Sequence, residues 1–221
     1  MKKPHPLLIA IDGPAGAGKT TVSKMLARDL GYRYLDTGAL YRGVAYEVRA
    51  AGVAADDDAG LERVCQTLQL EIRDSRLISN GVDITGRIRT PEITMLASAV
   101  SARPVVRQAL LDLQRRLGRD KALVAEGRDM GTVVFPDADL KFFLDASVRQ
   151  RALRRYEQYG EAGEQTLERI EQEIRQRDAN DSSRDVAPLK PADDAVTIDS
   201  TVMDAWQVVA TMMAHVASLI S

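Results

Sequence analysis

Cysteine and histidine are scarce in this sequence of 221 residues. Cys65 is the only cysteine, and the only histidines are His5 and His215. A single cysteine cannot form a disulfide bond within the chain, and these three residues cannot supply the four ligands of a closed Cys/His zinc site. The scarcity therefore excludes a disulfide-stapled fold and a structural zinc domain.

Long apolar runs are also missing. The run that follows the basic N-terminal residues, Leu7–Ile11, stops at Asp12 and is too short for the hydrophobic segment of a signal peptide. No stretch approaches the roughly 20 apolar residues that a membrane-spanning helix requires. These absences predict a cytoplasmic protein without a membrane partner.

A strong charge of one sign is the third feature that the sequence lacks. The formal net charge is −2 at pH 7, so no overall positive field is present to hold a nucleic-acid backbone. The 30 basic residues nevertheless comprise 23 Arg and only 7 Lys. Because the planar guanidinium binds phosphate oxygens in pairs, this bias is compatible with a local phosphate-binding cleft, although genome composition can give the same bias.

The first 50 residues predict a βαβ unit. Leu7–Ile11 is a continuous apolar run, as in a strand that is buried on both faces of a parallel sheet. A glycine-rich turn and a helical stripe over Thr20–Leu30 follow, and Tyr32–Leu35 has the pattern of a second strand. A further helix is predicted over Ala39–Ala51.

The character of the sequence changes between Leu68 and Thr90, where short alternating runs are separated by Asp74-Ser75 and Asn80-Gly81. Asn-Gly between two short strands is a strong hairpin signal. This region therefore predicts a small antiparallel β insert. Helix is predicted to return over Pro91–Leu117.

The second half of the chain predicts the rest of the sheet. Three runs have the composition of core strands: Ala122–Ala125, Leu140–Leu144 and Val196–Asp199. Between the last two, Ser147–Asn180 is polar, helical and rich in arginine, with a break at Tyr159–Gly163. A C-terminal helix is predicted to open at Thr201–Asp204, which resembles a capping box.

Residues 13–20 match the phosphate-binding pattern G-x-x-x-x-G-K-[ST] in full, between a predicted strand and a predicted helix. Glycines let the backbone curl so that successive N–H groups point at phosphate oxygens, and the helix directs its positive end at the same anion. Lys19 is expected to reach the β- and γ-phosphates, and the Thr20 hydroxyl to take a Mg²⁺ position. The residues expected to bind the triphosphate are Gly13, Pro14, Ala15, Gly16, Ala17, Gly18, Lys19, Thr20 and Thr21.

A phosphate-binding loop alone leaves several functions open, because kinases, GTPase switches, motor ATPases and translocases all contain one. A guanine-specific switch should carry an Asn-Lys-x-Asp base reader, and no such tetrapeptide occurs. Asp83–Gly86 fits the D-x-x-G of such switches, but it falls in the predicted β insert instead of following a core strand. A translocase would need a longer chain or a basic surface.

Two arginine-bearing loops follow predicted core strands, the place where open α/β sheets bind their ligands. Asp36–Arg42 follows the second strand, and Glu126–Gly131 follows the strand at Ala122–Ala125. Both loops are expected to reach the cleft beside the phosphate-binding loop. The pair therefore predicts a site for a second substrate.

Together these motifs resemble bacterial cytidylate kinase. The matching segments occur in the family's order and cover nearly the whole chain: Gly13–Lys19, Leu35–Arg42, Ile88–Glu92, Glu126–Pro136 and Arg184–Leu189. The Gly-Arg-Asp-Met-Gly-Thr-Val-Val-Phe-Pro stretch is highly specific. The resemblance implies transfer of the γ-phosphate of ATP to CMP or dCMP in pyrimidine metabolism, with Mg²⁺ accompanying ATP.

The resemblance also implies roles for the matching residues. The CMP-binding set would be Asp36, Thr37, Arg42, Ser98, Arg107, Arg128, Asp129, Arg177, Asp181 and Arg184. Within this set, the phosphate would be held by Arg42, Arg128 and Arg184, cytosine would be read by Ser98, Arg107 and Asp129, and the ribose would be bound by Asp181. Arg151 and Arg154 would bind ATP from a lid. The catalytic residues would be Lys19, Arg128, Arg184 and Arg155. Some relatives have Gly at the Thr20 position, so the metal role of Thr20 follows from the loop pattern alone.

The implied architecture is a single P-loop kinase domain of the α/β class. A parallel β-sheet P-loop NTPase core, flanked by helices, would cover residues 7–60, 118–146 and 185–221. A monophosphate-binding region with the antiparallel β insert would cover 61–117. A helical lid would cover 147–184, a segment with eight Arg, no Lys and eight acidic residues.

Two alternatives remain at this stage. The first is a P-loop kinase for another small acceptor, such as another nucleoside monophosphate, shikimate or dephospho-coenzyme A. The second is a nucleotide-driven switch that has no phosphate acceptor. A monomer is expected, because one cleft accounts for all the conspicuous polar clusters.

Overall fold

The structure is a computed structural model that describes residues 5–73, 76–159 and 166–220. In chain order its elements are β1 (Leu8–Asp12), α1 (Lys19–Leu30), β2 (Arg33–Asp36), α2 (Thr37–Ala50), α3 (Asp58–Thr67), β3 (Leu70–Arg73), β4 (Arg76–Ser79), β5 (Val82–Asp83), α4 (Pro91–Val100), α5 (Pro104–Gly118), β6 (Leu123–Glu126), β7 (Leu140–Asp145), α6 (Val148–Tyr159), α7 (Leu167–Ser182), β8 (Val196–Asp199) and α8 (Ala205–Ile220). A single π-helical turn over Met130–Val134 lies between β6 and β7. The described residues form two compact units, one made of the chain up to Leu35 and from Asp120 onward, the other of Asp36–Arg119.

The first unit is built on a five-stranded sheet in the order β2-β6-β1-β7-β8. The central strand, β1, pairs in parallel with β6 on one side and β7 on the other, and β8 pairs in parallel with β7. All five residues of β1 are buried. The main hydrophobic cluster joins this sheet to Leu26 of α1 and to Met212 of α8. The predicted fold class, a parallel sheet of the P-loop NTPase type flanked by helices, is confirmed.

Helices α6 and α7 form a pair within the first unit. Their hydrophobic contact is small and consists of Ala152, Ile170 and Ile174, with two partly buried neighbours. Thr166 begins α7, since its hydroxyl accepts the backbone N–H of Arg169. The helical character predicted for this arginine-rich segment is confirmed in its described residues.

The second unit contains the predicted antiparallel insert, a three-stranded sheet in the order β3-β4-β5. Asn80 and Gly81 both have positive φ angles, 48° and 82°, as the tight two-residue hairpin turn requires. The sheet packs closely on α2 at Gly43, where a Cβ atom would lie 3.0 Å from the side chain of Leu77 and 3.1 Å from that of Leu70. The hairpin prediction is therefore confirmed.

The structure confirms one prediction about helices, adds a helix that was not predicted, and corrects the start of the C-terminal helix. The helical segment predicted over Pro91–Leu117 is confirmed, and it consists of two helices, α4 and α5, because Pro104 can begin a helix but cannot continue one. Helix α3 was not predicted at all. The C-terminal helix begins at Ala205, and its reciprocal cap joins Asp204 to Gln207, so the capping box does not lie at Thr201–Asp204.

The second unit starts at Asp36, earlier than the monophosphate-binding region expected at 61–117. Helix α2 packs against α3, α4 and α5, and it therefore belongs with them. The division into core, monophosphate-binding region and lid stays a prediction. The turn predicted at Asp74-Ser75 and residues 160–163 of the predicted break lie outside the described residues. None of the helices that the structure describes is long and apolar enough to cross a membrane.

Candidate active site

The loop between β1 and α1 has a backbone that only glycine can adopt at two positions. Gly13 has φ 146°, and a Cβ atom there would lie 2.0 Å from the carbonyl oxygen of Leu144. Gly16 has φ 78°, and its Cβ would lie 3.1 Å from the Cβ of Arg151. The loop leads directly into the N-terminus of α1 at Lys19, where unpaired N–H groups attract anions. The predicted strand, loop and helix are therefore present.

Lys19 is buried, with 7% of its surface exposed. Its Nζ donates to the carbonyl oxygens of Gly13 and Pro14, at 2.7 Å each. Burial, assisted by the positive charge of Arg128, lowers the pKa of Lys19 to about 7, although the carboxylates of Glu126 and Asp12 act in the opposite direction. The amine can thus gain a proton easily when phosphate charge arrives.

Thr20 is the hydroxyl of this loop that could meet a metal ion. It lies half-buried in the first turn of α1, next to Lys19. Among the described residues, no group of three or more His, Cys, Asp or Glu could hold a metal. Mg²⁺ that accompanies a nucleotide needs only one or two protein ligands, because phosphates and water supply the others. The residues present therefore fit a nucleotide-borne Mg²⁺ and do not fit a metal held by protein alone.

Asp181 lies at the centre of a positively charged cluster in the first unit. Arg128 donates through Nε to its Oδ2 at 2.9 Å. Burial alone would raise the pKa of Asp181, but the charges of Arg128, Arg177 and Arg184 together lower it. Three arginines that the sequence assigned to CMP thus act on the carboxylate of Asp181, a fourth member of the same predicted set.

Asp129 is buried, with 2% of its surface exposed. The π-helical turn begins directly after it, and the carbonyl oxygen of Asp129 accepts the N–H groups of Val133 and Val134. The first two N–H groups of this turn, those of Met130 and Gly131, donate to the carboxylate of Asp12. The backbone on which Asp129 is carried is therefore fixed from both sides.

Two arginines of α6 contact the phosphate-binding loop through its carbonyl oxygens. Arg151 donates through Nη1 to Ala15 at 3.0 Å, and Arg154 donates through Nη1 to Ala17 at 3.2 Å. The other donors of Arg151 bind the carbonyl of Ala146 and the carboxylate of Asp178. Arg155 is half-buried on the same helix. That these arginines bind ATP stays a prediction.

In the second unit, Asp36 lies next to two other predicted site residues, Thr37 and Arg42. One carboxylate oxygen caps α2 by accepting the N–H of Ala39 at 2.9 Å, and the other accepts Nη2 of Arg42 at 2.9 Å. Thr37 is buried beside it. Arg89, which was not predicted as a site residue, lies 3.6 Å from the same carboxylate. The buried Nε of Arg42 has no hydrogen-bond partner among the described residues, as expected of a group that awaits an anion.

Arg107 and Ser98 lie near the junction of α4 and α5. Arg107 has 8% of its surface exposed, and its guanidinium lies 5.7 Å from the ring centre of Tyr41. Its Nη1 donates to the carbonyl oxygen of Ser101, and the Ser101 hydroxyl donates to the carbonyl oxygen of Ser98. The two predicted base-reading residues of this unit are thus joined through one intervening serine.

Sequence reasoning missed the buried carboxylates that surround Lys19. Asp12 and Glu126 are each 4% exposed, and Glu126 also accepts the hydroxyl of Tyr34. Asp12 had a detectable signal, because it places a charge at the end of a fully apolar strand. Glu126 was noticed only as part of a motif. Its contact with Tyr34 could not be predicted, because the two residues lie 92 positions apart in the chain.

Comparisons with known proteins agree with the motifs. Residues 9–218 match the family described as cytidylate kinase. The chain is 50% identical over 211 residues to a cytidylate kinase of Geobacter sp. (strain M21), which covers 93% of this chain and 91% of the relative. It is 47% identical to a cytidylate kinase of Ligilactobacillus salivarius (strain UCC118), with 94% and 95% covered.

Solved structures resemble this chain in fold. A shikimate kinase from Acinetobacter baumannii in complex with shikimate superimposes with a TM-score of 0.51 at 19% identity, and covers 97% of this chain and 95% of its own. At that identity the likeness concerns the fold alone.

Proposed function

The chain belongs to the cytidylate kinase family, and we propose on this basis that it transfers the γ-phosphate of ATP to CMP or dCMP. The products are ADP and CDP or dCDP. This is a nucleoside monophosphate kinase reaction, in which both substrates carry phosphate and no covalent intermediate with the protein is needed.

The charge cluster around Asp181 carries the proposal. An ATPase or a switch needs positive charge only where the triphosphate binds, whereas a kinase for a monophosphate needs a second group of cations. The first unit holds Lys19 in the phosphate-binding loop and, separately, three arginines that depress the pKa of Asp181. The positive charge of Arg128 also acts on Lys19, so the two groups of cations are close.

We assign the residues as follows within this proposal. ATP is bound by the loop residues 13–21, with help from Arg151 and Arg154. The CMP phosphate is held by Arg42, Arg128 and Arg184, with Arg177 nearby. Cytosine is read by Ser98, Arg107 and Asp129, the ribose is bound by Asp181, and Asp36 and Thr37 also take part in CMP binding. Lys19, Arg128, Arg155 and Arg184 stabilise the transferred phosphoryl group.

The reaction needs no general base. The second ionisation of a phosphate monoester has a pKa near ~6, so most CMP is already dianionic at neutral pH. The barrier is mainly repulsion between this dianion and ATP, which the cations screen while they align the reacting oxygens. The charge of the phosphates opposes the lowering of the Lys19 pKa by burial, and so favours the protonated amine beside ATP.

Mg²⁺ is proposed to enter with ATP, held on the protein side by the Thr20 hydroxyl. When bound, the ion neutralises part of the charge on the β- and γ-phosphates. The protein residues still perform the positioning, since Lys19 and the arginines fix both ends of the transfer.

Measurement of ADP formation with different acceptors tests the proposal. Purified protein and ATP would be combined with CMP, dCMP, UMP, AMP or shikimate, and with no acceptor. We expect CMP and dCMP to raise the rate of ADP formation far above the rate without acceptor.

A higher rate with another acceptor would replace this function with that of a different P-loop kinase. Equal rates with and without every acceptor would indicate a nucleotide switch or an ATPase. The Arg184→Ala variant is the matched control, because it should lose acceptor-stimulated activity and keep ATP binding.

A further inference from the structure

We propose that Asp12 is a positioning residue for the acceptor side of the reaction, because it fixes the backbone that follows Arg128 and Asp129. The inference rests on the proposed function, which assigns these two residues to the phosphate and the base of CMP. Asp12 itself lies at the end of β1, immediately before the phosphate-binding loop.

Both oxygens of the Asp12 carboxylate are used for this contact. Oδ1 accepts the N–H of Met130 at 2.8 Å, and Oδ2 accepts the N–H of Gly131 at 2.8 Å. The side chain is almost fully buried, with 4% of its surface exposed. Hydrogen bonds from N–H groups to a buried carboxylate are among the stronger ones in proteins, so this contact holds two successive peptide units in one orientation.

Within the part of the chain that the structure describes, Asp12 is the acceptor for both of these donors. They belong to the first residues of the π-helical turn, and N–H groups at the start of a helical segment lack a partner within the segment. Asp129, just before the turn, has φ −147° and ψ 26°, which is not helical. The carboxylate of Asp12 therefore fixes where the turn begins. It thereby also fixes the direction in which the side chain of Asp129 points.

The π-helical turn is also closely packed on the side that faces Lys141. A Cβ atom at Gly131 would lie 3.1 Å from Cδ of Lys141 and 3.5 Å from Oδ2 of Asp12. Lys141 is itself buried and donates to the carbonyl oxygen of Pro136 and to Asp194. The turn is thus enclosed between β1 and β7, and it cannot shift away if the Asp12 contact is kept.

One residue therefore joins the two halves of the reaction. Asp12 precedes Gly13 in the chain, while its side chain binds the loop that carries Arg128 and Asp129. A backbone hydrogen bond connects the same two segments, since the N–H of Gly127 donates to the carbonyl oxygen of Ile11 at 3.0 Å. A change at Asp12 that spares the backbone of β1 should disturb the acceptor loop first.

The experiment compares Asp12→Asn with Asp139→Asn. Asparagine keeps the size of aspartate but has one acceptor oxygen, so one of the two N–H groups loses its partner and faces the new NH₂ group. We expect the KM for CMP to rise about 10-fold or more, as for the loss of a charge-assisted hydrogen bond, while the KM for ATP changes less than about 3-fold. Hydrogen exchange at Met130 and Gly131 should accelerate.

Asp139 is the matched control, because its carboxylate accepts the N–H of Leu8, at the opposite end of β1, at 2.7 Å. Asp139→Asn should lower thermal stability without a selective rise in the KM for CMP relative to the KM for ATP. Asp12→Glu serves as a second variant if Asp12→Asn does not fold, and the same selective rise in KM for CMP is expected.

The outcomes separate this inference from the proposed function. A wild-type protein without CMP kinase activity would contradict the proposed function. An active wild type whose Asp12 variants raise both KM values equally, or neither, would overturn the role of Asp12 alone.

Discussion

Lys19 donates a hydrogen bond to the carbonyl oxygen of Gly13, six positions earlier, at 2.7 Å. Its amine therefore lies against its own loop, and ATP binding would require it to exchange these carbonyl partners for phosphate oxygens. The exchange is favourable because a polyphosphate carries full negative charge, whereas a carbonyl oxygen carries only a partial one.

Lys19→Ala should lose most of the phosphoryl-transfer rate while it retains the fold. Burial lowers the pKa of Lys19, which means that its charge is a cost to folding and that its removal is tolerated. We expect kcat to fall to less than about a tenth of the wild-type value. Lys24→Ala, an exposed lysine in the same helix, is the control and should keep full activity.

The arginines proposed to hold the CMP phosphate should contribute far more to the binding of CMP than to the binding of ATP. Arg42→Ala, Arg128→Ala and Arg184→Ala each remove a charge-assisted contact, which typically costs ~1.5–3 kcal/mol. Direct titration of both nucleotides measures the difference. Arg49→Ala is the control for Arg42, because Arg49 lies in the same helix and pairs with Glu92 on the surface. A comparable loss of ATP affinity in all three variants would remove them from the acceptor site.

Cytosine selection should depend on Asp129. A carboxylate can accept a hydrogen bond from the amine of cytosine, but it repels the carbonyl oxygen that uracil presents there. Asp129→Ala should therefore lower kcat/KM for CMP much more than for UMP, since hydrogen-bonding sites reject analogues by up to ~10⁴-fold. The exposed Asp137 offers a control, Asp137→Ala. An unchanged ratio of the two substrates in the Asp129 variant would mean that cytosine is read elsewhere.

Protein stability should depend on pH through Asp12. Burial, with a further contribution from the negative charge of Asp129, raises the pKa of Asp12 from 3.8 to about 6, although the N–H groups of Gly131 and Met130 act in the opposite direction. Since the native state then holds this proton more tightly than the unfolded state, the free energy of unfolding falls as pH rises through this window. The difference is on the order of 3 kcal/mol.

The Asp12→Asn variant has no ionisable group at this position. The difference in stability between wild type and variant therefore removes the contribution of the other ionisable groups. Chemical denaturation at pH 4 to 7 should show wild type losing stability relative to Asp12→Asn as pH rises from about 4 to about 6. A difference that stays constant with pH would show that the pKa of Asp12 is not raised.

The lid proposal predicts a change in protection from hydrogen exchange. Helices α6 and α7 share only a small hydrophobic cluster, so their amides should exchange readily in the free protein and slowly with a bisubstrate analogue bound. The turn at Arg151 should already be protected, because its side chain binds Ala15 and Asp178. Helices α1 and α8 provide the internal reference. Unchanged protection in α6 and α7 would leave them an ordinary surface pair.

The parts of the fold that could be predicted from the sequence are those with local signals. The strand before Gly13 is a continuous apolar run, the loop has a fixed glycine spacing, and the Asn80-Gly81 turn needs two positive φ angles that few residues adopt. Each of these signals lies within fewer than ten residues. They were sufficient for the fold class and for the strand, loop and helix of the phosphate-binding pattern.

The remaining features depend on partners that are distant in the chain. The N–H groups that Asp12 accepts lie 118 and 119 positions away, and the carbonyl that Arg151 binds lies 136 positions away. Helix α3 was missed because Leu61 is its only buried large apolar residue, which leaves almost no helical stripe to detect. These features therefore depend on tertiary packing, which local sequence patterns do not encode.

The position of β1 in the sheet has a consequence for synthesis on the ribosome. Both of its neighbours are made late, since β6 begins at Leu123 and β7 at Leu140, whereas Asp36–Arg119 is one uninterrupted stretch. The second unit can bury its apolar side chains while β1 is still without a partner, because domains fold as they emerge and distant contacts form last. We therefore expect β1 and the loop that follows it to reach their final conformation only after β7, which ends at Asp145, has left the ribosome.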